Sequence, residues 1–376
     1  MSVKVISDVA ISPYFTGGDM PNTCAYPQAT VLKDNTVVCV YRGGEEKHTY
    51  DGVLYSQRSE DLGQTWSTPV VISDFRQHTP PESLIMAGVC RTADDSLLAV
   101  FCNVKPGTDQ YLFSKEGLKQ ERALYSTISE DGGISWSEPK QFDMPSGYKR
   151  VGVTTNPVLL PTGDIMIPLE AQPEGGVTTT IAAFSSDNGR TIGPFTDLQL
   201  SDPKNELHFC DARFERVNDQ VLTLLWTFRE DSEETIEVHR SVSHDNGRSW
   251  SSPHSVGFVG QVTVPLSLGD GRVIAASNFR HPSQGIRLWF SEDSGATWQK
   301  PPLQMWDSQQ GRVLAEPMEA LASPATDDGV WEALRDFSFG TPDLVRLSDG
   351  TILMLYYATL NESIHIRCCH FEVMEE

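Results

Sequence analysis

The sequence is poor in positive charge, with 29 Lys and Arg against 51 Asp and Glu, a formal net charge of −22. Phosphate backbones and anionic membranes draw their affinity from clustered Lys and Arg, so neither nucleic acid nor a membrane surface is an expected partner. No stretch approaches the roughly 18 to 20 unbroken apolar residues of a membrane span. The opening residues, MSVKVISDVAISPYF, show no basic stretch leading into a long apolar one. No signal peptide is therefore expected, and a cytoplasmic location is the economical expectation. Cysteine is scarce and irregular: Cys24, Cys39, Cys90, Cys102, Cys210, Cys368 and Cys369 are odd in number and form no CxxC pair. That excludes a disulfide framework and a zinc ribbon, and no metal or cofactor is expected. The 39% hydrophobic and 21% charged residues are those of a globular chain with material for a core. A length of 376 residues suits one large all-β domain.

Repeats are plentiful. The pattern Ser-x-Asp-x-Gly-x-Thr/Ser-Trp runs from Ser59 to Trp66 and returns at Ser129–Trp136, Ser243–Trp250 and Ser291–Trp298. A fifth copy, Ser185 to Thr191, ends in Ile192. Successive aspartates (61, 131, 187, 245, 293) lie 70, 56, 58 and 48 residues apart. The box suits a turn: Asp caps backbone N–H groups, Gly supplies a positive φ, and Trp packs between sheets.

Ahead of each box stand two short apolar runs around a polar turn. The copies are TVLKDNTVVCVY from Thr30, CRTADDSLLAVF from Cys90, PVLLPTGDIMIPL from Pro157, RFERVNDQVLTLLW from Arg213, VPLSLGDGRVIAAS from Val264 and LVRLSDGTILMLYY from Leu344. Asp-Gly, Gly-Asp and Asn-Asp turns between β-branched runs are hairpin signals. Each unit reads as two strands, a top loop, a third strand, the box and an outer strand such as WSTPVVIS, which is a propeller blade. The last unit has no box and the opening VKVISDVAIS has no blade of its own. Pairing the first strand into the last blade closes the ring and removes open edges. The expected fold is an all-β, six-bladed β-propeller in a single domain, residues 1–376, with the N-terminal strand closing the last blade.

With five such boxes, the chain resembles the sialidase (neuraminidase) superfamily over essentially its whole length. The resemblance implies that the boxes build the fold on the face opposite the catalytic centre. It also implies three arginines clamping a substrate carboxylate, an aspartate acid/base and a Tyr–Glu nucleophile couple. Three elements of that set do not match. The Arg-Ile-Pro motif is replaced by Cys24-Ala25-Tyr26-Pro27, and the Tyr-Ser-x-Leu pattern by Thr341-Pro342-Asp343-Leu344. The glutamate has no counterpart around Val259-Gly260-Gln261-Val262. A standard sialidase mechanism is not expected. By position, Arg229 stands for the second arginine and Arg280 lies close to the third. The stretch YRGGEEKHTYDG occupies the acid/base loop, with Asp51 the best candidate there and His48 close behind.

Propeller geometry gathers on one mouth the loops between second and third strands and the segments leading into inner strands. The loops offer Arg42, Glu45, His48 and Asp51, then Glu170, then Arg229, Glu230 and Asp231, then Arg280 and His281. The lead-in segments offer Arg91, Arg150 with Asn156, His208 with Asp211 and Arg213, and Asp343. Strand alternation puts Asp211 and Arg213 on one face and Cys210 on the other. Trp226 and Trp289 read as blade packing. The candidate catalytic residues are therefore Asp51, His48, Asp211 and Glu230. The candidate substrate-binding residues are Arg42, Arg91, Arg150, His208, Arg213, Arg229, Arg280 and His281.

Three activities suit this inventory. A glycosidase would use Asp51 as acid, Asp211 or Glu230 as base or nucleophile, and arginines to orient an acidic sugar. A lyase acting on uronates would use His48 or His208 as base beside an arginine-neutralised carboxylate. A non-catalytic propeller would bind a glycan in the same funnel. The expectation is a glycoside hydrolase acting on a small carboxylate-bearing saccharide, with a homo-oligomer compatible with the sequence.

Overall fold

Hairpins of β-branched residues dominate the computed structural model, which describes residues 1–12, 23–107, 111–112, 120–174, 176–202, 204, 206–229, 234–280, 283–318, 338–360 and 363–374. Strand β1 is Ser2–Ala10, followed by β2 (Thr23–Val31), β3 (Val37–Gly44), β4 (Val53–Ser59) and β5 (Val70–Ser73). Next come β6 (Ser83–Arg91), β7 (Leu97–Val104), β8 (Arg122–Ser129) and β9 (Lys140–Phe142). The third group is β10 (Tyr148–Gly152), β11 (Val158–Leu159), β12 (Ile165–Pro173), β13 (Thr179–Ser185) and β14 (Phe195–Asp197). The fourth is β15 (Leu207–Val217), β16 (Gln220–Arg229), β17 (Glu237–Ser243) and β18 (His254–Val259). The fifth is β19 (Gln261–Gly269), β20 (Arg272–Phe279), β21 (Gly285–Ser291), β22 (Leu303–Asp307) and β23 (Arg312–Pro317). The chain closes with β24 (Phe339–Arg346), β25 (Ile352–Leu360) and β26 (Ser363–Met374).

The all-β propeller is present, but the expectation of six blades is corrected by the pairing. Four sheets stand alone: β6–β9, β10–β14, β15–β18 and β19–β23. The units expected as first and last blades instead share one continuous eight-stranded sheet in the order β24-β25-β26-β2-β3-β4-β5, with β1 on β26. The join is a parallel bridge between Thr23 and Ile364. Sequence repetition counts units, whereas hydrogen bonding across that seam merges two of them, leaving four separate blades beside a double-width sheet. The antiparallel pairing of β1 with β26, from Ser2↔Met374 to Ala10↔Arg367, is the closure the N-terminal segment implies.

The boxes explain how neighbouring sheets lock together. In the first, Asp61 accepts from the Thr65 N–H at 2.8 Å and the Thr65 hydroxyl at 2.6 Å, while Ser59 Oγ accepts from the Gly63 N–H at 2.9 Å. The same pattern recurs at Asp131, Asp187, Asp245 and Asp293. Each box glycine has a positive φ and meets an apolar side chain of the preceding unit. A Cβ on Gly63 would stand 2.9 Å from Leu353, and one on Gly133 would stand 3.2 Å from Val38. Only glycine meets both demands.

The strands nearest the axis position the site. In β2, β6, β10, β15, β19 and β24, one extra residue opposes the partner strand at the same level, a β-bulge that breaks the two-residue alternation. Tyr26 (φ 59), Asp211 (φ 47), Val262 (φ 48) and Thr341 (φ 40) sit at four of these bulges in left-handed conformation. Such strain in non-glycine residues persists only where the surroundings enforce it, and it clusters at functional sites. Here it aims all four side chains into one cavity.

Candidate active site

The cavity lies at the mouth opposite the boxes: Arg122 opens β8 and lines it, whereas Ser129 at the far end of the same strand begins a box. Its wall combines Tyr26, His48, Ile85, Met86, Arg122, Arg150, Gly152, Glu170, Cys210, Asp211, Trp226, Arg280, Thr341 and Tyr357. A small apolar cavity with converging charged groups suits a polar small molecule.

Three groups of side chains organise it. On one side the Tyr26 hydroxyl shares a short hydrogen bond with His48 Nε2, and the Tyr26 ring meets Tyr357 edge-on at 5.7 Å. Burial pushes the Tyr26 phenol well above its ordinary value; Tyr357 adds to that, and Arg42 and Arg280 oppose it. Arg280, buried beside them, donates to Gln261 Oε1 at 2.8 Å, to the Phe339 carbonyl at 3.3 Å and to the Tyr357 hydroxyl at 3.5 Å. Across the cavity, Glu170 accepts from the Asp211 N–H at 3.1 Å and stands 4.0 Å from Arg150. Asp211 accepts from Arg213 at 3.4 Å. Burial raises the Asp211 carboxyl to about 6; Arg213 opposes the shift, Glu170 reinforces it and Arg280 opposes it. A carboxyl poised there can hold a proton and give it up. Burial also drives the Cys210 thiol well up, so it is no thiolate nucleophile.

Among the residues expected at this mouth, the structure gathers His48, Glu170, Asp211, Arg150 and Arg280 around the cavity. Others lie elsewhere. Arg42 is not in the cavity wall: its guanidinium donates to the carbonyls of Leu84 (3.1 Å), Glu46 (2.7 Å) and Thr49 (2.5 Å). Asp51 faces that guanidinium at 3.7 Å and accepts from the Glu45 N–H and the Thr49 hydroxyl. Both residues fasten the loop that carries His48, because its backbone groups need partners away from any sheet ladder. Arg229 ends β16 half-exposed, 3.5 Å from Glu234, outside the cavity. His208 stacks on Phe228 at 4.8 Å and does not line it. Arg91 lies toward the box end of β6, 3.8 Å from Asp95. Arg213 and Asp343 line a second axial cavity below the first. Glu230 and His281 fall outside the described residues.

The alternation argument fails at the β15 bulge. Cys210 and Asp211 both face the upper cavity, whereas Arg213 faces the lower one. Trp226, read as blade packing, contributes to the upper wall as well. Tyr26, Arg122 and Tyr357 are site residues that the sequence reading passes over. Arg122 had an available signal, since the residue opening a third strand reaches the same mouth as the loop before it. Tyr357 pairs opposite Gly340 as Trp226 pairs opposite Cys210, and both line the cavity. Among the described residues no group of three or more His, Cys, Asp or Glu is arranged to hold a metal ion.

The BNR repeat-like domain family matches residues 35–354. The chain belongs to that family. Among solved structures, this BNR repeat-like chain is similar to a Dyadobacter fermentans protein of unknown function, at 19% identity and a TM-score of 0.72, covering 99% of this chain and 100% of that one. It is also similar to a Hadza microbial sialidase, at 14% identity and a TM-score of 0.67, covering 94% and 66%. Trypanosoma rangeli sialidase in complex with 2,3-difluorosialic acid, a covalent intermediate, aligns at 12% identity and a TM-score of 0.64, covering 94% and 54%. The chain thus spans about half of the trypanosomal one. At these identities the likeness is one of fold, shared with both sialidases. No curated protein matches the chain.

Proposed function

We propose that this BNR repeat-like protein is a glycoside hydrolase acting on a small, carboxylate-bearing sugar. The observation that carries the reading is Asp211, a buried carboxyl raised to about 6 and facing a cavity that also holds Glu170 and several arginines. In the proposed reaction Asp211 donates its proton to the leaving glycosidic oxygen as the C–O bond breaks. Glu170, the second carboxylate of the same wall, takes the proton of the attacking water, and the sugar leaves as a free hemiacetal. The sialidase named among the structural neighbours binds an acidic sugar analogue, which agrees with a carboxylate-bearing substrate for this fold.

The Tyr26–His48 hydrogen bond favours a second reading, elimination from a uronate, in which that pair removes the α-proton and no water is consumed. Turnover of 4-nitrophenyl and 4-methylumbelliferyl glycosides of uronic and sialic acids tests the first reading. Wild type should release the aglycone, and Asp211→Asn should lower kcat by about 10²–10⁴, the usual worth of a general acid, with a melting temperature no lower than that of wild type. Equal turnover by Asp211→Asn removes the hydrolytic assignment. An unsaturated product absorbing in the near ultraviolet assigns elimination instead.

A further inference from the structure

Arginines in this cavity and just outside its wall differ in what already occupies their donors. The Arg42 donors go to three backbone carbonyls, and Arg280 donates to Gln261, Phe339 and Tyr357. Arg122 is different. Its Nε is fully buried without a hydrogen-bond partner, and among the described residues no carboxylate pairs with it. Arg150 stands in the same wall, and among the described residues its one ion-pair partner is Glu170, at 4.0 Å. Burial pulls the Arg122 guanidinium down from its ordinary value; Arg150 pulls in the same direction, while Cys102 and Glu170 oppose the shift. Two partly desolvated cations facing one loosely placed carboxylate are a costly arrangement unless an anion joins them.

The backbone makes room for this corner. A Cβ on Gly152, in β10 two residues from Arg150, would lie 2.8 Å from Arg122 Nη1. Gly152 therefore leaves the space in which the Arg122 guanidinium lies against the strand, its face open to the cavity that both residues line. Planar guanidinium forks match carboxylate geometry, and two of them can share one carboxylate.

We infer that Arg122 and Arg150, set over Gly152, form the subsite that holds the carboxylate of the sugar. The corner lies in a chain of net charge −22, so selection of an acidic ligand is local and not an effect of overall charge. Neither arginine occupies a position that the sialidase resemblance assigns. The inference deepens the proposed function and rests on it for the identity of the ligand as a sugar. The anion-holding role itself rests on the unpaired Arg122.

The test is direct binding to the full chain. D-glucuronate, N-acetylneuraminate and D-glucose are titrated by calorimetry and by the fluorescence of Trp226, which lines the cavity. At least one acid should bind wild type at least tenfold more tightly than glucose. Arg122→Gln should abolish that preference, and Arg122→Lys should keep part of it. Gly152→Ala is the companion variant: its new methyl meets only the far end of a flexible side chain, so it should displace Arg122 and weaken acid binding at an unchanged melting temperature. Inorganic phosphate and sulfate, titrated alongside, should compete only weakly. The inference is overturned if Arg122→Gln binds the acids as wild type does, if acids and glucose bind alike, if no acid binds, or if sulfate binds as tightly as the best acid. Asp211→Asn should retain acid binding, so a failure of the hydrolytic reading would show in turnover while the clamp stands.

Discussion

At Asp211 two forces compete. Desolvation favours the neutral acid, while Arg213 at 3.4 Å favours the carboxylate. Desolvation wins and leaves a proton donor near neutral pH. In the proposed hydrolysis the acid form is the active one, so kcat/KM should fall roughly tenfold per pH unit above about 6. A pH–rate profile of wild type checks this, and residual turnover by Asp211→Asn should show no such limb. A flat profile between pH 5 and 8 would remove Asp211 from proton transfer. His48 and Asp211 were legible as residues because polar, titratable side chains on the expected mouth are few. Arg42 and Asp51 were legible as neighbours, and the structure places both outside the cavity wall. Their charges serve the backbone of one loop, a use that sequence pattern does not separate from substrate binding. Tyr357 was passed over because it lies in an apolar strand run, where the bland reading is packing, and Arg122 because it opens a third strand and not a loop.

Bulges and loop clamps are the features of the strands and loops that decide the site. A single inserted residue in β15 turns Cys210 and Asp211 to the same cavity, and no local composition announces it. Propensity made the hairpins readable, whereas register depended on tertiary packing. The loop from 45 to 51 offers a sharper check. The Arg42 guanidinium occupies the space beside Gly52, where a Cβ would meet Leu84 O at 2.5 Å and Arg42 Nε at 2.7 Å. Because one contact is backbone, Gly52→Ala should cost about 1–3 kcal/mol in denaturant unfolding, as overpacking usually does. It should also lower turnover by moving His48 off Tyr26 and so reshaping the cavity wall that both residues line. Unchanged stability and turnover would show that the clamp does not hold the loop.

Across the whole molecule, repeats made the propeller legible, and the hydrogen-bonded seam at Thr23 and Ile364 altered the blade count. Nothing in a repeat says whether its neighbour is bonded to it. The buried and surface carboxylates also set opposite pH trends. Burial raises Asp211 and Asp343 to about 6 and Glu215 to about 7, so the folded chain binds these protons more tightly than the unfolded one. Stability should therefore rise as pH falls from 8 to about 5. For the box aspartates 61, 131, 187, 245 and 293, burial pushes up but the combined hydrogen bonds win and hold them low, Asp245 at about 2. Their contribution is present above the unfolded value near 3.9 and is lost as pH falls toward 2. Thermal unfolding should show a maximum between about pH 4 and 5, with the midpoint at least roughly 2 °C lower at pH 8. A midpoint rising steadily to pH 8 would mean that these carboxyls are not protonated together in the fold.

The proposed function requires the cavity opposite the boxes to cleave an acidic glycoside by protonating its leaving oxygen. Proton NMR of the purified chain acting on a set of uronosides and sialosides measures this most directly. The account predicts free saturated sugar acid from wild type and almost none from Asp211→Asn. Intact substrates throughout the set, or an unsaturated sugar as the product, would contradict it.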